Sequence, residues 1–199
     1  MDTAQLAAVA GGNRVHRSFA FIDLSGFTDF VDANGDEAAV EELQRLRATV
    51  REVTPLFGVR VEKWLGDGCM IVGVDNEPVV AAVVAIQQRH QRTGALSLRA
   101  GISTGDVLLL EGDDYIGRSV NIAARLCDKA EAGTVLATPD DLVLPGWVHI
   151  AEERTVAIRG IAQPLAVVAL AAEPALLGTP RGNGVLVSLV DGLARRMRA

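Results

Sequence analysis

Two carboxylates in this chain stand where chemistry could use them. The stretch "FAFIDLSGFT" runs apolar residues from Phe19 straight into Asp23, then into a small, hydroxyl-rich turn. The stretch "KWLGDGCM" sets Asp67 between two glycines. Each Asp alone reads equally as a turn-former, a role in which Asp is common. Brought together at one sheet edge, they would repel each other unless cations lay between them. Oxygen ligands of this kind suit Mg²⁺ or Mn²⁺, which use one or two carboxylates plus substrate phosphates. After Asp23, the residues Ser25, Gly26, Phe27 and Thr28 open a helix. Its first N–H groups either attract an anion or are capped by the Ser25 side chain. A third stretch, "GDDYIGRSVNIAARL", puts Asn121 and Arg125 four residues apart on one helix face, with Ala123 and Ala124 between them. Such an Arg is either a solvated surface charge or a fixed cation beside accessible backbone.

These residues need elements to hold them. Arg17 to Leu24 reads as a strand, apolar on both faces at its end and therefore central. A helix follows, with a break near Asn34–Gly35 and with Val40, Leu43, Leu46 and Val50 at helical spacing. Pro55 and Gly58 close it. "VRVEKWLGDGCMIVGV" reads as a hairpin between central strands, its turn at Leu65 to Gly68. A helix from near Pro78 to Gly94 comes next, then two strands meeting near Gly105. A helix closed by Gly133, a strand at "TVLATPDDL" and two or three strands between Trp147 and Leu170 complete the order. Helices interrupted by hairpins argue for an α+β fold with a mostly antiparallel sheet, helices on one face, and a ferredoxin-like core.

The 199 residues suffice for one ordinary domain and a short appendage. The expected division is a lead-in over 1–16, a domain over 17–170 and an extension over 171–199. A net charge of -6 argues against a nucleic-acid partner. Cys69 and Cys127 lie in no metal-ligand spacing and read as reduced, buried thiols, which fits a cytoplasmic location. The N-terminus has no signal-peptide pattern, and no window forms a transmembrane segment. His16, His90 and His149 fall outside every motif and read as surface or structural residues. "GVLVSLVDGLARRMRA" suggests an amphipathic helix. Such a helix would pack on its own domain or a dimer mate, or meet a partner or an anionic membrane.

Taken in order, "FIDLSGFT", "KWLGDG" and "DDYIGRSVNIAARL" resemble the catalytic domain of class III nucleotide cyclases over roughly three quarters of the chain. The resemblance implies that Asp23 and Asp67 hold two divalent ions, Mg²⁺ or Mn²⁺. It implies that Lys63 and Asp114 read the purine, that Asn121 orients the ribose, and that Arg125 stabilises the transition state. Phe27 and Thr28, at the helix start after Asp23, are expected to contact substrate phosphate. It further implies a homodimer with two shared active sites. Base choice follows from donors and acceptors. Adenine offers an N6 donor and an N1 acceptor, which suit a carboxylate and an ammonium; guanine presents the reverse on that edge. The expected function is therefore an adenylate cyclase forming 3′,5′-cyclic AMP and pyrophosphate from ATP, in signal transduction. The alternatives are a cyclase-like nucleotide-binding module with little turnover and a guanylate cyclase.

Overall fold

In the computed structural model, residues 13–110, 114–161 and 163–173 are described. The fold starts from the alternation in β1 (Arg14–Leu24). Successive strand side chains point to opposite faces. Ala20, Ile22 and Leu24 therefore join the main core, while Phe19 and Phe21 join a second cluster on the other face. Asp23 continues the Phe19–Phe21 row.

Around β1 an eight-stranded sheet forms from β2 (Arg60–Leu65), β3 (Gly68–Gly73), β4 (Leu98–Leu109), β5 (Tyr115–Ile116), β6 (Val135–Ala137), β7 (Val148–Val156) and β8 (Leu165–Ala172). The order is β2-β3-β1-β4-β6-β8-β7, with β5 attached to β4. Only β4 and β6 pair in parallel; the rest is antiparallel. The α+β, mostly antiparallel class read from the sequence is the class observed. Three details differ. β1 begins at Arg14, not Arg17. Residues 98–109 form one strand, because Arg14 to Leu24 pairs along its whole length, through Gly105. The 60–73 hairpin lies at the sheet margin, with β2 as an edge strand.

The helices occupy both faces rather than one. α1 (Phe27–Val53) and α2 (Asn76–Thr93) cover the Ala20 face. α1 bends at Gly35, whose φ of 83° and ψ of 171° are non-helical and match the expected break. α2 buries every residue from Val79 to Ile86. α3 (Arg118–Lys129) lies on the Phe19 face. Its Ala123 packs with Phe19, Met70, Val72 and Val107, and its Ile122 and Leu126 pack with Leu136, Val167 and Ala169. Trp64 of β2 lies beneath two α1 guanidinia, Arg47 at 5.3 Å and Arg51 at 5.8 Å from its ring centroid, so cation–π attraction ties the hairpin to α1. No helix among the described residues is long and apolar enough to cross a membrane. The lead-in up to residue 12 and the C-terminal stretch from residue 174, with the amphipathic helix expected there, lie outside the described residues.

One buried polar cluster braces the start of β4. Glu42 of α1 and His90 of α2 are both fully buried, with His90 Nε2 3.1 Å from Glu42 Oε1. The same oxygen accepts the Ala95 and Leu96 N–H groups at 2.9 and 3.0 Å, and Arg45 donates to the other oxygen at 3.1 Å. Burial, the largest single influence on Glu42, pushes its pKa up. The Leu96 and Ala95 amides, Arg45 and His90 outweigh it, so the carboxyl sits below its usual range. Burial holds His90 below its usual value, with Glu42 opposing. Unfolded His binds a proton near pH 6.5, as the buried imidazole does not. Stability contributed by this site is therefore complete above that pH and is lost as pH falls toward the folded pKa. Urea-denaturation midpoints are expected to drop between pH 7 and 5, with a slope from this group of up to about 1.4 kcal/mol per pH unit. His90→Gln should flatten the curve in that window. An unchanged slope in the variant would remove His90 as its source.

Candidate active site

The antiparallel register brings the two carboxylates together. Asp23 is opposite Gly68 of β3 on one side and Arg99 of β4 on the other. Asp67 sits in the turn just before Gly68, and its carbonyl accepts the Leu24 N–H at 3.3 Å. Gly66 takes the left-handed conformation that the turn requires, φ 66°. Burial first, and the adjacent Asp23 charge second, raise the Asp67 pKa. That repulsion is what a cation would relieve. Among the described residues no group of three or more His, Cys, Asp or Glu is arranged to hold a metal. Two carboxylates that need further oxygens from water or phosphate are the donor set Mg²⁺ or Mn²⁺ ordinarily meets.

Arg99 is the residue that sequence reading missed. Its Nε and Nη2 both donate to Asp23 Oδ2, at 3.0 and 2.5 Å, and this bonding raises the Arg99 pKa. The available signal was its place one residue into a strand antiparallel to β1, which only the register reveals. Behind Asp23 lies a cavity of about 160 Å³ lined by Phe21, Leu65, Cys69, Ala124, Cys127 and Asp128, among others. Both cysteines are free and buried, as expected. Burial, then the Asp23 charge, pushes each thiol up to about 12, so neither is a thiolate nucleophile at neutral pH.

The turn after Asp23 differs in its cap. Gly26, not Ser25, is the N-cap of α1, in the left-handed region and without a side-chain cap hydrogen bond. The Ser25 N–H instead donates to the Ser97 carbonyl at 2.9 Å. Phe27 and Thr28 are thus the first residues of α1, directly after Asp23's strand, with Thr28 exposed and Phe27 packed partly on the core.

Lys63 and Asp114 form an ion pair, with about half of each side chain exposed. Hydrogen bonding to Asp114 raises the Lys63 pKa. Asn121 and Arg125 share the exposed face of α3, as their spacing required. They line a groove of about 1000 Å³ with Arg118, Arg159 and Gln163. Arg125 reaches Asp128 on its own helix at 3.5 Å. Arg118 and Arg159 lie in this groove and were not singled out in the sequence; Arg118 occupies the same helix face three residues before Asn121. Among the described residues, no hydrogen bond or ion pair joins Asn121 or Arg125 to Asp23 or Asp67. Ala124 lines both spaces, so α3 stands between the acidic pair and the arginine groove.

No protein-family model matches the chain. An uncharacterized protein of Mycobacterium tuberculosis is 38% identical over 134 residues, which are 66% of this chain and 35% of that protein. An adenylate cyclase of Glutamicibacter nicotianae is 32% identical over 123 residues, 60% of this chain and 30% of the relative. The chain spans about a third of the length of the curated relatives it matches. Among solved structures, the guanylyl cyclase Cya2 aligns with a TM-score of 0.69 at 21% identity, covering 87% of this chain and 98% of that one. The adenylyl cyclase CyaB from P. aeruginosa aligns with a TM-score of 0.66 at 24% identity, covering 86% and 98%. The described residues have the fold of the class III nucleotide cyclase catalytic domains. An adenylate cyclase is among its sequence relatives, and both an adenylyl and a guanylyl cyclase share its fold.

The close approach of β3 to β1 gives a direct test of the acidic edge. A Cβ on Gly68 would collide with the Ile22 carbonyl oxygen and stand 3.0 Å from Asp23 Oδ1. Gly68→Ala is expected to cost about 1–3 kcal/mol in chemical denaturation through overpacking. Gly146→Ala, where a Cβ meets open space, should stay within about 0.5 kcal/mol. Equal effects of the two would show that the β1–β3 contact is not tight.

Proposed function

We propose that this chain is an adenylate cyclase, converting ATP to 3′,5′-cyclic AMP and pyrophosphate at sites shared between two copies. The observation that carries the reading is the Lys63–Asp114 contact. It sets a donor and an acceptor side by side, the complement of adenine N1 and N6 and the reverse of what guanine requires. The acidic edge and the arginine groove support it by supplying one place for cations and another for anionic oxygens.

In this reading Asp23 and Asp67 hold two divalent ions. When bound, these supply acidification of the ribose 3′-hydroxyl and neutralisation of the leaving phosphates. Arg99 fixes the Asp23 carboxylate and keeps a positive charge at that edge. The amides of Phe27 and Thr28, at the start of α1, face anionic oxygens. Asn121 orients the ribose so that its 3′-oxygen meets the α-phosphorus. The new P–O bond forms as the bond to the bridging oxygen of pyrophosphate breaks. Charge grows on the equatorial phosphoryl oxygens, and the planar Arg125 guanidinium is suited to meet it. The described site contains no His, and no side chain in it is assigned as a base; phosphate oxygens are the acceptors at hand for the hydroxyl proton.

Because α3 separates Arg125 from the acidic pair of its own chain, each chain is proposed to complete the other's site. Asp23→Ala and Arg125→Ala homodimers should each be nearly inactive with ATP and Mn²⁺. Mixed with free exchange, they should recover roughly a quarter of wild-type cyclic AMP formation, since half the dimers carry one intact site of two. Heterodimers confirmed by co-purification of two tags but without activity would sink the shared-site model. Nucleotide binding with no product in the wild type would favour the binding module. Faster turnover of GTP than of ATP would favour the guanylate cyclase.

A further inference from the structure

We infer that Tyr115, held through its hydroxyl by Arg60, is the positioning residue that sets the base-reading pair and so the choice of nucleotide. This rests on the proposed role of Lys63 and Asp114.

The topology makes the pair's contact improbable without a clamp. Lys63 is on the edge strand β2, and Asp114 immediately precedes β5, which pairs only with β4. Two strands, β3 and β1, lie between β2 and β4. The end of the β4–β5 arm must therefore fold across the Phe19 face of the sheet. The Lys63–Asp114 ion pair is a poor candidate for holding it there. Both side chains are about half exposed, and exposed pairs contribute little because water competes and two long side chains must be ordered.

Tyr115 has what the pair lacks. Its ring meets Phe19 edge-on, centroids 5.2 Å apart at 67°, and packs on the cluster of Met70, Val72 and Val107. Arg60 Nη2 donates to its hydroxyl at 3.0 Å. Arg60 is itself tied to Glu62 Oε2 at 2.7 Å, and the Glu62 side chain is 5% exposed. Glu62 is the extra residue of a β-bulge: Val61 pairs with Ile71 and Lys63 with Met70. The bulge aims Lys63 at the face that carries Met70, Phe19 and Tyr115, the re-aiming role bulges commonly have. Lys63, Glu62, Arg60, Tyr115 and Asp114 thus form a ring of side chains closed across two strands. The partly buried ring of Tyr115, packed on that cluster, orients the exposed carboxylate one residue before it. A base reader must be held to within a fraction of an ångström to discriminate.

The test compares kcat and KM for ATP and for GTP in the full chain with Mn²⁺. Tyr115→Phe keeps the ring and removes only the hydroxyl, and Arg60→Met removes the donor from the other side. Each should lower the ATP-to-GTP ratio of kcat/KM about five- to tenfold, the size of one lost hydrogen bond, chiefly through the KM for ATP. The double variant should be no worse than either single one, as expected of two residues that act through one bond. Where turnover is too slow, ATP and GTP binding by calorimetry gives the same ratio. A merely structural role would lower melting temperature and slow both nucleotides alike, leaving the ratio unchanged. That result overturns the inference. Lys63→Gln and Asp114→Asn separate the two levels. If these shift the ratio while Tyr115→Phe and Arg60→Met do not, the clamp is wrong and the base-reading pair stands. If they leave it unchanged, the base-reading role itself fails.

Discussion

The antiparallel register of β1 against its two neighbours is the constraint on which the acidic edge depends. It sets Gly68 and Arg99 on either side of Asp23 and brings Asp67 within reach from the next turn. The arrangement is electrostatically strained by itself, since two carboxylates share one edge. Arg99 offsets part of that strain by its two bonds to Asp23. A one-residue slip of β1 would carry Asp23 to the opposite face, into the Ala20 core. The phenylalanines at 19 and 21 and the aliphatic residues at 20, 22 and 24 make that slip costly, because each set fits only its own side.

Rigidity is distributed unevenly in a way that suits such a site. The floor is sheet and buried helix: α2 is covered along Val79–Ile86, and the Glu42–His90 cluster pins the segment leading into β4. Ser97, in that segment, receives the Ser25 N–H, so the same bracing reaches the turn after Asp23. The groups that the proposed function assigns to a nucleotide, Lys63, Asp114, Asn121 and Arg125, are exposed. They stand on elements whose other sides are packed, and this combines access with orientation.

Much of the fold was legible because its signals are local. Alternation in β1, the Gly35 break in α1, the Gly66–Gly68 turn and the helical spacing of Asn121 and Arg125 each follow from a few adjacent residues. What escaped depends on pairing between distant segments. Arg99 is an ordinary strand arginine until β4 is laid against β1. The margin position of β2 and the placement of α3 opposite α1 and α2 follow from strand order, which no single stretch encodes. Ser25 looked like a helix cap by type, but its amide was already committed to Ser97, and Gly26 took the cap. Of the six motif residues, Asp23, Asp67, Asn121 and Arg125 stood out by type and position, whereas Lys63 and Asp114 were marked only by the family resemblance. Their division into an acidic edge, a Lys63–Asp114 ion pair and a groove face became visible only in three dimensions.

The bulge in β2 has a consequence for how such chains diverge. A strand counts its faces in twos, and Glu62 is the odd residue that changes the count between Val61 and Lys63. Deleting it would leave "KWLGDG" intact, letter for letter, and leave the turn and Asp67 where they are. Arg60 and Val61 would keep their sides relative to Lys63 as well, because Arg60 is opposite Val72 and Lys63 opposite Met70 on the same face, and only the Glu62 carboxylate that meets Arg60 would be lost. A relative lacking Glu62 would keep every motif and both partners of the Arg60–Tyr115 bond, whereas one that kept every residue in a regular, unbulged strand would turn Arg60 and Lys63 to opposite faces. In this region the way the strand is paired therefore carries more information than its letters do.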